Sequence, residues 1–176
     1  MHKLDILDDN LKAIFCGINR PPSAELAGHN FSSSSNRFWT VLHRAGFTDV
    51  LLQAHEERRL LDYGYGITAV VNRATNKATD VAQQEFEQAR LEFEPRMQRH
   101  APRALAFLGK RAFAMMMNLP QVEWGLQHTR FAGSMTWILP NPSGLNRSFT
   151  LDALVRAYAE FQTAVEAAAA DTLTSR

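Results

Sequence analysis

The chain has 176 residues, 45% of them apolar and 21% charged, and a formal net charge of +1. That length favours one domain with one core. The balance excludes a disordered chain, and no apolar run is long enough to cross a bilayer.

The first strong element is the apolar run 11–18, holding Ile14, Phe15 and Ile18 and stopping at Asn19-Arg20-Pro21-Pro22. It reads as a buried strand ending in a loop. Asn36 suits a helix N-cap, with Phe38, Trp39, Leu42 and Ala45 at helical spacing and Gly46 closing the segment. Residues 56–63 form a short helix candidate, and the β-branched run 67–71 a second strand. Asp80 and Gln83 have the spacing of a capping box for a longer helix, striped by Ala82, Phe86, Ala89, Phe93 and Met97 and kinked or restarted at Pro95. A third strand is expected over 104–108, then a helix from Gly109-Lys110 through Met117. Residues 136–139 read as a fourth strand, ending in Pro140-Asn141-Pro142-Ser143-Gly144. The last helix starts near Thr150, with Leu151, Leu154, Val155, Tyr158, Phe161 and Val165 on one side, and residues 172–176 read as a frayed end.

Short apolar strands alternating with helices predict an α/β fold, a three-layer α/β/α sandwich with a mainly parallel sheet. Residues 1–176 form one domain in this reading, with its core at about 11–165. Ligands in such sheets bind beyond the carboxyl ends of the strands. The polar, proline-rich loops 17–23 and 140–147 therefore meet at one site if their strands run the same way.

Met1 to Asn10 carries three Asp and no apolar run, so no signal peptide is read there. Cys16 is the single cysteine and makes no internal disulfide. The expected compartment is the cytoplasm, and a monomer is the simplest expectation. Arginine makes up 15 of the 19 basic residues, which suits bidentate phosphate contacts or simply reflects codon usage.

Gly17-Ile18-Asn19, then Asn36-Arg37-Phe38-Trp39, then Asn141-Pro142-Ser143-Gly144-Leu145 together resemble the mismatch-specific uracil-DNA glycosylases, relatives of the thymine-DNA glycosylases. Ala45-Gly46-Phe47-Thr48-Asp49, Leu60-Leu61-Asp62-Tyr63 and Ala106-Phe107-Leu108-Gly109-Lys110 extend the likeness from about Leu11 to Tyr158. The resemblance implies a base-excision repair hydrolase without cofactor or metal. It implies removal of uracil mispaired with guanine in double-stranded DNA, and of lesions such as ethenocytosine, with thymine in G:T pairs a poorer substrate. It also implies base flipping, a product left as an abasic site, and no membrane partner.

Residue by residue, Asn19 matches the family's water-positioning group. An amide oxygen holds a water but is no general base, so catalysis would rest on positioning and on stabilising the departing base anion. Asn also favours turns, and Asn19 could simply end the strand. Phe31 matches the aromatic that stacks on the flipped base, at about 1–3 kcal/mol per stack; plain core packing is its other reading. The backbone amides of Ile18 and Phe31 are expected at the pyrimidine edge. Asn141 stands where related enzymes use a histidine beside the base carbonyl, and it also fits an Asn-Pro turn. Gly144, Leu145 and Arg147 match the wedge that enters the duplex, with Leu145 filling the gap and Arg147 near the opposite guanine; an ordinary surface loop is the alternative. Arg37 is read as solvated or ion-paired, or as supporting the site or a phosphate. Lys110 and Arg111, at a helix start, are candidate phosphate contacts.

Two departures stand out. The family continues Gly-Ile-Asn with Pro-Gly, whereas this chain has Arg20-Pro21-Pro22, which puts a charge beside the catalytic position. Ala69 replaces a lysine or carboxylate of some relatives. No lysine is expected in the matched site, so no Schiff-base lyase step is predicted. The altered loop leaves open a catalytically weak or inactive DNA-binding module, and the fold class a nucleotide enzyme.

Overall fold

A computed structural model describes residues 1–174. Five strands form one sheet in the order β2-β1-β3-β5-β4, where β1 is Ala13–Gly17, β2 Tyr65–Ala69, β3 Ala104–Leu108, β4 Gly125–Leu126 and β5 Met135–Leu139. The first four in that order run parallel, with Phe15 opposite both Ile67 and Ala106, and Ala106 opposite Trp137. Only the two-residue edge strand β4 is antiparallel. The architecture is the expected three-layer α/β sandwich.

Side-chain alternation along β1 explains the layering. Ala13 and Phe15 enter one core, while Ile14 and Cys16 enter the other, as period-two strands buried on both faces require. The first core meets α2 (Phe38–Arg44) and α5 (Leu151–Thr174). There the Phe15 ring touches Phe38 and Phe47 edge-on, each at 5.4 Å between centroids, and lies against Tyr158 and Phe161. The second core meets α3 (Gln83–His100) and α4 (Arg111–Met117) through Phe86, Phe93, Phe107 and Phe113. Each such side chain contributes roughly 1.5–3 kcal/mol on burial. Burial pushes the Cys16 thiol up, so it remains an unreactive core group.

Several expectations need adjustment. The second strand begins at Tyr65 and ends at Ala69, two residues early. Asp80 and Gln83 form no capping box; the Asp80 carboxylate instead accepts from the Lys77 N–H within the short 3₁₀ turn Ala78–Asp80, and α3 starts at Gln83 after an uncapped Ala82. Pro95 lies inside α3 without ending it. The short helix α1 (Pro22–Ala27) forms where a loop was expected, because proline suits the first helical turn. The final helix continues to Thr174, further than expected, while Ser175 and Arg176 lie outside the described residues. No helix among the described residues is long and apolar enough to cross a membrane.

Candidate active site

Because β1, β2, β3 and β5 are parallel, all their carboxyl ends face one way. The loops that follow β1, β2 and β5 enclose a cavity of about 620 Å³ together with the segment 30–36. Asn19, Phe31, Asn141, Gly144 and Leu145 all line it, so the two proline-rich loops do meet. Among the described residues lining it, the only ionisable ones are Arg20 and Lys77; none carries a carboxylate.

Asn19 follows β1 by two residues. Its carboxamide nitrogen donates to the Arg73 carbonyl at 2.9 Å and to the Thr75 hydroxyl at 2.7 Å. A carbonyl can only accept, so the amide orientation is determined, and the Asn19 oxygen remains as the acceptor. Thr75 in turn donates to the Lys77 carbonyl at 2.7 Å, which uses its proton and leaves it accepting from Asn19.

Asn141 is oriented the opposite way. Its side-chain oxygen accepts from the Ser143 N–H at 2.9 Å, the Asx turn that Asn-Pro-Ser favours, and its amide nitrogen remains as the donor. The site therefore pairs an amide acceptor at Asn19 with an amide donor at Asn141. Neither the Ile18 nor the Phe31 backbone N–H donates to another described residue. Unpaired donors at a cavity wall suit a ligand acceptor.

Phe31 has φ +52°, a left-handed conformation that a bulky residue rarely adopts and that clusters at functional sites. One ring face lies on Phe38, with centroids 4.0 Å apart and 26° between planes. The ring is thus braced from behind and half-buried, with part of it on the cavity wall.

The loop after β5 is held from inside by Arg37. Its guanidinium donates to the carbonyls of Phe149 at 2.8 Å, Ser143 at 2.8 Å and Asn146 at 2.9 Å, with a longer bond to Pro142 at 3.4 Å. Arg37 is therefore neither solvated nor ion-paired; it shapes the loop. Tyr158 adds a bond from its hydroxyl to the Pro140 carbonyl at 2.8 Å, and burial pushes that phenol up. Gly144 packs against Ser35: a Cβ there would stand 2.7 Å from both the Ser35 Cβ and its carbonyl oxygen. The close approach that this glycine permits is thus within the protein. Leu145, at the loop tip, is 85% exposed, and Arg147 beside it is exposed as well.

The charge expected beside Asn19 is turned away. Arg20 is buried, donating to Asp5 at 2.9 Å and to the Asn30 side-chain oxygen at 2.7 Å. Asp5 also accepts from Arg96 and Thr68, so two guanidiniums and a hydroxyl surround one carboxylate. Asn30 is held further by Glu57. This network ties the loop after β1 to Asn30, next to Phe31. The statement that the matched site lacks lysine also needs correction: Lys77, exposed, stands on the cavity margin.

Lys110 and Arg111 lie outside the cavity lining. The Lys110 ammonium sits over the Trp124 ring, 4.6 Å from its centroid. Arg111 turns inward, donating to the Val81 carbonyl at 2.9 Å and facing the Phe86 ring. Ala69 is buried at the end of β2 and adds only a methyl group to the wall. Among the described residues no group of three or more His, Cys, Asp or Glu could hold a metal ion.

Sequence reasoning missed Thr75, Lys77 and Ser35. The polar run 72–80 carried a usable signal, since it follows a predicted strand and so falls at the ligand edge of the sheet.

Residues 4–168 match the family model described as the Uracil DNA glycosylase superfamily. A solution NMR structure of a candidate uracil DNA glycosylase from Methanosarcina acetivorans superposes with a TM-score of 0.61 at 19% identity, covering 94% of this chain and 99% of that one. At that identity the likeness is one of fold.

Proposed function

The chain belongs to the uracil DNA glycosylase superfamily, and from that membership we propose that it is a monofunctional, mismatch-specific glycosylase of the thymine-DNA glycosylase-like branch. It hydrolyses the bond between deoxyribose and a uracil mispaired with guanine in duplex DNA, along with related lesions such as ethenocytosine and, weakly, thymine. The observation that carries this reading is the opposed amide pair, Asn19 accepting and Asn141 donating, in a cavity whose wall has no carboxylate.

The chemistry follows from that donor set. A flipped pyrimidine lies against the Phe31 ring, with the Ile18 and Phe31 amides at its edge. Asn141 donates to a base carbonyl and stabilises the negative charge that grows there as the glycosidic bond breaks. The sugar becomes oxocarbenium-like. Asn19 holds a water through its oxygen and aims it at the anomeric carbon. The water oxygen bonds to that carbon, its proton is finally carried by the released base, and an abasic site remains. Without a carboxylate to deprotonate the water, the rate depends on the leaving group. Uracil and ethenocytosine are therefore favoured over thymine. The exposed Leu145 fills the gap in the duplex, and Arg147 lies near the opposite guanine. Lys77 on the cavity margin suits a phosphate beside the flipped nucleotide.

The binding-module alternative rests on the altered loop Arg20-Pro21-Pro22, which loses a glycine and gains a charge. The burial of Arg20 against Asp5 and Asn30 weakens only the part of it that rests on the charge.

The test is incubation with duplexes bearing one G·U, A·U, G·T or G·ethenocytosine pair, with hot alkali revealing abasic sites. G·U cleavage above A·U, lost in Asn19→Ala with duplex binding retained, is the expected result. Tight duplex binding with no abasic site on any substrate would overturn the enzyme reading. Strand cleavage without alkali, abolished in Lys77→Ala, would overturn the monofunctional one.

A further inference from the structure

Trp124 is 44% exposed at the carboxyl edge of the sheet. It precedes β4, whose Gly125 pairs with Ile138, so it stands beside the end of β5 where the Leu145 loop begins. Its indole meets the Phe149 ring edge-on at 5.3 Å. Phe149 closes the Leu145 loop, and its carbonyl is one of those held by Arg37. The Lys110 ammonium covers a face of the same indole at 4.6 Å and forms no ion pair among the described residues; nor does Arg147. An exposed aromatic and two unpaired cations thus adjoin the loop on its side away from the cavity. Glu123 is the one carboxylate next to them in the chain.

The strand order gives Trp124 a place relative to the cavity. Asn19 follows β1, and Trp124 adjoins β4, three strands away. At ~4.8 Å per strand this is about 14 Å, or about four base-pair rises of ~3.4 Å. With a nucleotide in the cavity, Leu145 in the gap and the duplex lying along the strand order, Trp124 and Lys110 would fall under the duplex beyond the gap.

We infer that Lys110 and Trp124 form a second DNA contact, which grips the duplex arm on the far side of the Leu145 wedge from the cavity. This rests on the glycosylase reading above. Lys110 leaves the indole to pair with a backbone phosphate, and the freed indole face packs on the adjoining sugar. The contact carries no base readout. It strengthens duplex binding whatever the flanking sequence.

The test uses the full chain and a duplex with one tetrahydrofuran abasic analogue opposite guanine, alongside duplexes shortened on either side of that analogue. Trp124→Ala and Lys110→Ala should each bind the full duplex about tenfold more weakly. Shortening one particular arm should weaken the wild type and leave both variants unaffected. Thermal melting of Lys110→Ala should match the wild type. The inference is overturned if both variants bind the full duplex as tightly as the wild type, or if both arms matter to them as they do to it. Failure of the underlying reading looks different, as a wild-type protein that yields no abasic sites.

Discussion

The side-chain nitrogen of Asn19 lies 2.7 Å from the hydroxyl of Thr75, fifty-six residues away in the chain, and that contact leaves the Asn19 oxygen free to accept a hydrogen bond from water. Thr75 is buried and comes from the loop after β2. Under the proposed mechanism it would act on the reaction through Asn19, as a positioning residue.

Thr75→Val keeps the shape of the side chain and removes the acceptor. The Asn19 amide would then hang on the Arg73 carbonyl alone and sample other rotamers. One neutral hydrogen bond is worth about 1 kcal/mol, so single-turnover cleavage of G·U duplex should fall about fivefold to tenfold. Duplex affinity should not change, and Thr75→Ser should restore the rate. An affinity loss equal to the rate loss would show that Thr75 holds the loop and not the amide.

Arg37→Ala strips the donor from three close carbonyls at once. Charge-assisted bonds of this kind are worth about 1.5–3 kcal/mol, and the three are not additive. A loss of about 2 kcal/mol is expected, lowering Tm by about 4–8 °C. Arg37→Lys should recover only part of it, because an ammonium lacks the planar fork that spans these carbonyls. Full recovery with lysine, measured by calorimetry, would contradict the multi-carbonyl clamp.

Leu145→Ala should leave the fold unchanged, since the side chain is 85% exposed. Its effect should fall on duplex substrates, where filling the gap offsets part of an unstacking cost of a few kcal/mol. Activity on G·U duplex should drop at least about tenfold, while cleavage of single-stranded uracil DNA stays within about twofold. Equal losses on both substrates would remove the wedge role.

Gly144→Ala should impair the same duplex reaction without deleting any side chain. The added methyl would meet Ser35 at 2.7 Å, too close for either backbone to stay in place, so the wedge loop must shift. Combining it with Ser35→Gly should rescue only partially. That change removes the Ser35 Cβ and Oγ, but the carbonyl oxygen at 2.7 Å remains. A double-mutant cycle on the rate measures the coupling, and strict additivity would show that the two loops do not bear on each other.

Much of this molecule was decided within short stretches of chain. The apolar runs around Phe15, Ala106 and Ile138 could bury both faces only as central strands, so the parallel α/β sheet followed from pattern alone. The motifs at Gly17-Ile18-Asn19, Asn36-Arg37-Phe38-Trp39 and Asn141-Pro142-Ser143-Gly144-Leu145 likewise resembled a glycosylase family, and the superfamily model matches residues 4–168. The errors lay where one signal competed with another partner, near or far. Asp80 has the spacing for a cap on the long helix but closes the short turn before it by accepting from Lys77. Arg20 reads as an exposed charge near Asn19, yet Asp5, Asn30 and the Arg96 guanidinium lie where it enters the fold, and it is buried there.

What only the tertiary structure decided were the groups that orient the site. Thr75 anchors Asn19, Arg37 shapes the Leu145 loop, Ser35 demands glycine at 144, and Trp124 stands beside Phe149. The reason is physical. Periodicity and turn chemistry act over a few residues and are written in the chain itself. A hydrogen bond between residues fifty-six or one hundred and six apart exists only once the sheet has set the register of the strands that bring them together.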